Sequence, residues 1–222
     1  EGGQRGDGQG ELAGSDDDST KEDGVHWDHG GGAVAPPSLG RALTFPRARH
    51  MVHALEWEDA VSGNPLLYKS YPEDMIAALR GANWDLVREQ DREVLPGVRL
   101  IRTSGHTRGH ASILLEHPRL ALEHPDAAAF PGIRQLLLAG DVCPSQHNLR
   151  MVFQTSYDTF PLDTRAWKRS WLPRIAAEHM LLMFDHDPAA YGAHIRPDPR
   201  EEFAVERALA CREGDGRSGP HD

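Results

Sequence analysis

Four stretches of this chain place His or Asp where an apolar run gives way to a loop: "HWDHGGG" (26–32), "TSGHTRGH" (103–110), "LLLAGDV" (136–142) and "LMFDHDP" (182–188). Repeated four times, that pattern restricts the fold. Each run behaves as a buried strand that hands a polar group to its end, so the chain must build a sheet whose strand ends meet at one edge. A rigid sheet that presents polar side chains on its edge loops is an economical way to hold a site.

The rest of the pattern mixes strands and helices. "ARHMVHAL" (48–55) and "GVRLIRT" (97–103) have strand character, and "HASILLEH" (110–117), "IRQLLLAGD" (133–141) and "HMLLMFDHD" (179–187) are short apolar runs closed by turn residues. "PEDMIAALRG" (72–81) spaces Met75, Ile76 and Leu79 for a helix that stops at Gly81. In "PLDTRAWKRSWLPRIAAEH" (161–179), Leu162, Trp167, Trp171 and Ile175 are expected on one helical face, with Pro173 as a point of kinking. Residues 1–23 are almost devoid of apolar groups and are expected to be a disordered lead-in. The end, 211–222, is expected to be a disordered tail, leaving one domain over 24–210.

Composition narrows the function. No apolar run approaches the ~20 residues of a membrane helix, and no signal peptide opens the chain, so a membrane role is not expected. Formal net charge is −10, from 24 Lys and Arg against 34 Asp and Glu, which argues against a nucleic-acid surface and against a nuclease. Cys143 and Cys211 form no pattern; a reducing, cytoplasmic setting is expected.

Neutral imidazoles and carboxylates are the donors that zinc prefers, and they also suit iron and manganese. His26, Asp28 and His29 offer three donors from one turn, too close together to serve one ion without strain, so two adjacent ions are the natural solution. Asp141 can bridge two such cations. Metals lower the pKa of water from about 15.7 to about 7, so a metal-bound hydroxide is a nucleophile at neutral pH.

The ordered set "HWDHGGG", "TSGHTRGH", "GDV" and "FDHDP" resembles the metallo-β-lactamase-fold superfamily of metal-dependent hydrolases, over about residues 24–190. "FPRARHMVHALEWEDA" (45–60) and "FDHDP" look closest to its lactonase-like and thiolesterase-like branches. The resemblance implies an α/β fold, an αββα sandwich. It implies His26 and His106 on a first metal, Asp28, His29 and His186 on a second, and Asp141 between them, with Asp28 and Asp141 as the catalytic carboxylates. It implies zinc, one or two ions, and a small-molecule ester, lactone or thioester as substrate. Three departures stand out. Gly24 occupies the place of the family's first metal histidine. The strands that precede the H-x-H-x-D-H turn in the family have no counterpart in residues 1–23, so the sandwich is expected to be incomplete, and the chain truncated, on its N-terminal side. Val142, Cys143 and Pro144 follow Asp141 where lactonases carry a substrate-steadying Tyr; Tyr157 and Tyr68 are the available substitutes. The alternative expectation is therefore an impaired or inactive family member acting at most as a binding module.

His110 is read as a structural group that opens a strand. Asp185 and Asp187 are read as supports of His186 or solvated groups, and Cys143 as a small core residue. His50, His53, His117, His124, His147, His179 and His194 are read as surface or satisfied core groups, and Trp27 as packing beneath the site.

Overall fold

The computed structural model describes residues 33–34, 42–43, 45–67, 70–116, 130 and 132–211. Short strands β1 (Ala33–Val34) and β2 (Ala42–Leu43) pair antiparallel, and β3 (Arg49–His53) pairs parallel with β4 (Asn83–Val87). Between β3 and β4 lie helices α1 (Ala54–Ala60) and α2 (Glu73–Leu79). The main sheet follows: β5 (Asp91–Leu95), β6 (Val98–Arg102), β7 (Ala111–Glu116), β8 (Gln135–Leu138), then helix α3 (Pro161–Ala177), β9 (Leu181–Met183), β10 (Ala190–Asp198) and β11 (Glu202–Ala210). Its order is β11-β10-β9-β8-β7-β6-β5, antiparallel except for the parallel pair β8–β9.

Alternation along the strands sorts residues to the two faces. Leu114, Leu137, Leu182 and Ala193 are register partners in turn across four strands, and all are buried in the cluster beneath α3. Leu136, Leu181 and Leu209, one position out of phase, form a second cluster with Phe130 on the opposite side. On that side the β3–β4 pair, backed by α1 and α2, faces the main sheet across a cavity of about 490 Å³ bounded by Met51, Trp84, Leu100, Ile113 and Leu138. The layers are thus α3, main sheet, small sheet, and α1 with α2, which is the expected αββα order.

Several elements differ from the sequence expectation. The strand read over 48–55 stops at His53, whose Nδ1 accepts the Leu55 backbone N–H at 3.2 Å and caps α1 directly. Six strands, β1, β2, β4, β5, β10 and β11, carry no sequence expectation at all. On α3 the buried face is Thr164, Trp167, Lys168, Leu172 and Ile175, and Leu162 is 73% exposed. Five residues separate Leu162 from Trp167, roughly 140° around a helix, so Leu162 falls outside the stripe. The helix runs on through Pro173 to Ala177. Among the described residues no helix is long and apolar enough to cross a membrane. The expected lead-in (1–23) lies outside the described residues, as do all but Cys211 of the expected tail.

Candidate metal centre

The turn from β6 to β7 carries His106 and is built around a tight approach. Ser104 and Gly105 both have positive φ, 57° and 91°. At Gly105 a Cβ would run into Thr164 Oγ1 and sit 2.9 Å from its backbone N, so glycine lets this turn rest against the first turn of α3. The backbone N–H groups of Thr159 and Phe160 donate to the carbonyls of His106 (2.9 Å) and Gly105 (2.8 Å), stitching the segment before α3 to the same turn.

On the other flank, α1 holds the turn by its acidic side chains. Glu56 accepts the Tyr71 hydroxyl (2.8 Å), the Thr107 hydroxyl and the Gly109 N–H (3.1 Å). The Arg108 guanidinium donates to both oxygens of Asp59, at 2.6 and 3.0 Å. Burial of its carboxyl end raises the Glu56 pKa, outweighing the three hydrogen bonds that favour the anion. The consequence for stability has a definite sign. Below the ordinary carboxylate range both folded and unfolded chains hold the proton. As pH rises through that range the unfolded chain releases it first, so stability falls until the folded carboxyl also ionises. Glu56→Gln is expected to flatten that fall, read as urea midpoints of parent and variant from about pH 4 to about pH 8.

Asp141 lies in a 3₁₀ turn (Gly140–Val142) directly after β8, and His186 lies three residues beyond β9. Because β8 and β9 are parallel neighbours, both side chains leave the sheet at the same end, which is also the end where the β6–β7 turn sits. The three meet there. His186 Nε2 is 3.1 Å from Asp141 Oδ1, and His106 Nε2 is 3.6 Å from Asp141 Oδ2, beyond hydrogen-bond length. His106 and Asp141 are buried; His186 is partly exposed.

The surrounding groups hold this arrangement. His110 Nε2 accepts the Asp141 backbone N–H at 3.1 Å, so the proton of its ring sits on Nδ1, which meets the Thr103 hydroxyl. Both ring nitrogens of His110 thus serve the scaffold. Asp187 is buried and accepts the backbone N–H groups of Gln146 (2.8 Å), Ala189 (2.8 Å) and Ala190 (3.1 Å), which fixes the turn that carries His186. Cys143 is fully buried, and burial pushes its thiol up to about 12, so it stays protonated as a core residue. Tyr157 stands edge-on to the His106 ring, 5.5 Å between centroids. Asp185 lines the cavity beside Asp141.

One group escaped the sequence reading. Asp158 accepts from His106 Nδ1 at 3.0 Å and from the Thr164 hydroxyl at 2.8 Å, and it also accepts the Thr155 hydroxyl. Burial pushes its pKa up, but the hydrogen bonds from His106, Thr155 and Thr164 outweigh that and hold it below the ordinary value. It lies 52 residues after His106 in a polar segment with no motif, so no local signal marks it.

His26, Asp28, His29, Trp27 and Gly24 lie outside the described residues, as do Tyr68, His117 and His124. Among the described residues no group of three or more His, Cys, Asp or Glu side chains closes on a single point as a metal cage.

No protein-family model matches the chain. Over 92 residues it is 35% identical to an N-acyl homoserine lactonase from Bacillus sp., a stretch covering 41% of this chain and 30% of that protein. Its fold matches a probable metal-dependent hydrolase from Staphylococcus aureus with a TM-score of 0.62 at 19% identity, over 77% of this chain and 55% of the other. It matches AbOPH, a hydrolase in the beta lactamase superfamily, with a TM-score of 0.56 at 16% identity, over 77% of this chain and 58% of the other. The chain therefore spans a little over half of these solved structures and less than a third of the lactonase.

Proposed function

Because this chain has the metallo-β-lactamase fold, we propose that it is a metal-dependent hydrolase of an ester, lactone or thioester, with its metal at the edge where His106, Asp141 and His186 meet. The observation that carries this reading is the placement of the Asp141 carboxylate. One oxygen faces His186 and the other faces His106. A carboxylate so placed can bridge two cations, each with its own imidazole, and this donor set suits zinc, with iron or manganese as alternatives.

In this reading His26 and His106 would hold a first ion, Asp28, His29 and His186 a second, and Asp141 would contribute to both. Asp28 and Asp141 would serve as the catalytic carboxylates. When bound, the metal supplies an acidified water and polarises a carbonyl oxygen. The protein's own part is to fix the donors and to provide one apolar flank: the cavity reaches from His106 and Asp141 to Trp57 and Trp84, room for the non-reacting part of a small substrate. The partial relationship to an N-acyl homoserine lactonase supports a lactone as the first substrate to try.

Gly24 favours a second reading, an impaired or inactive family member that binds one metal or none and acts at most as a binding module. Lacking an imidazole there, the first position keeps His26, His106 and Asp141, whereas the second keeps Asp28, His29, His186 and Asp141. Dialysed protein is therefore expected to hold nearer one ion than two per chain by elemental analysis. With zinc restored, opening of an N-acyl homoserine lactone, followed by proton release, is expected to depend on zinc and to stop with a chelator. Zinc bound without turnover, or no metal bound at all, would contradict the hydrolase and select the second reading.

A further inference from the structure

We propose that Asp158 is the positioning residue of His106, selecting the tautomer and the ring orientation that aim Nε2 at Asp141. The inference rests on the reading of the site as a metal centre and adds to it a residue that no motif marks.

A neutral imidazole carries one proton, and which nitrogen holds it is set by the partner of the other. Asp158 Oδ1 sits 3.0 Å from His106 Nδ1, and its side chain and that of His106 are 1% and 2% exposed. An ionised carboxylate only accepts, so the Asp158 contact places the proton on Nδ1 and leaves the Nε2 lone pair directed at Asp141. The carboxylate is itself held. Thr164, in the first turn of α3, donates to Oδ2 at 2.8 Å, and Thr155 donates to Oδ1. Asp158 therefore has a fixed place, and the ring it holds is fixed with it. The main chain supports the same register, since Thr159 donates to the His106 carbonyl from its N–H (2.9 Å) and its hydroxyl (2.8 Å). A histidine donor needs this: a carboxylate on the far nitrogen sets ring direction and raises basicity, and its loss typically weakens metal binding about 10–100-fold.

Two measurements test the proposal, and one needs no variant. In the parent protein, imidazole nitrogen NMR is expected to show the neutral tautomer of the His106 ring with its proton on Nδ1, the nitrogen that faces Asp158. A proton on Nε2, or a mixture, would overturn the proposal. In the second, zinc affinity is measured by calorimetric titration of the parent, Asp158→Ala and, as a shape-preserving variant, Asp158→Asn. The expected result is a loss of about 10–100-fold for Asp158→Ala, with the His106 signal becoming a mixture of tautomers. Asp163 is the control. It is an exposed carboxylate in the first turn of α3 that accepts the Ser104 hydroxyl at 2.8 Å, and Asp163→Asn is expected to keep parent affinity and tautomer. A purely structural Asp158 would shift the urea midpoint and leave affinity and tautomer unmoved, and that result overturns the proposal alone. Failure of the parent to bind zinc would overturn the metal reading, and this proposal with it.

Discussion

Asp141→Asn is expected to lose its metal on dialysis and, with zinc in excess, to hydrolyse a lactone about 10²–10⁴-fold more slowly than the parent. The size follows from position. The two Asp141 oxygens face His106 and His186, so removing its charge would weaken both of the proposed metal positions at once. The amide also turns an N–H toward one imidazole where an oxygen had been. The fold should tolerate the change. The tie from the Asp141 backbone N–H to His110 does not involve the side chain, and the buried row Leu114, Leu137, Leu182 is untouched. Elemental analysis, lactone hydrolysis and a urea curve on the same preparation check this. Metal retained at the parent level would show that Asp141 is not a ligand.

Gly109→Ala is expected to destabilise the protein by about 3 kcal/mol. A Cβ there would run into the backbone N of Glu56, with Glu56 Cα and Cβ at 2.5 Å. These atoms belong to α1 and cannot swing aside, so the turn carrying His106 must lift from the helix. Lifting it also breaks the hydrogen bond from the Gly109 N–H to Glu56 and disturbs the Arg108–Asp59 pair. For a chain of this size, about 3 kcal/mol lowers the melting temperature by about 6–12 °C. Gly63→Ala is the comparison. Gly63, unlike Gly109, has a positive φ, 67°, and no atom lies within 4 Å of its Cβ position, so only the backbone strain of about 1 kcal/mol is expected. Equal melting temperatures for the two variants would contradict the close approach.

The parts of this fold legible in the sequence are those where local pattern and tertiary role agree. Leu136, Leu137 and Leu138 read as a buried strand because both faces of β8 are covered, and the Asp that follows them does turn out of the sheet. His106, Asp141 and His186 could be picked as partners because each sits at such an exit. The β10–β11 hairpin was not legible. Pro197 and the charged residues of "EFAVERALA" weaken any strand signal, and the pairing is supplied by β9 and by a register with two irregularities. α1 was hidden by the alternation of the preceding strand, and only the His53 cap marks the change of period. Asp158 was hidden because its role depends on a contact 52 residues distant. His26, Asp28 and His29 fall outside the described residues, so that half of the donor set stands on the sequence motif.

The parallel pairing of β8 and β9 acts as a ruler. Leu138 and Met183 are register partners, and Asp141 and His186 each lie three residues further on. Their separation is inherited from the spacing of neighbouring strands, about 4.8 Å, at the middle of the main sheet. His106 has no such guarantee, because its place depends on docking to α1 through Glu56 and to the segment before α3 through Asp158. On gentle denaturation the site should therefore come apart in order. His106 is released first, while Asp141 and His186 keep their distance until the sheet itself is lost.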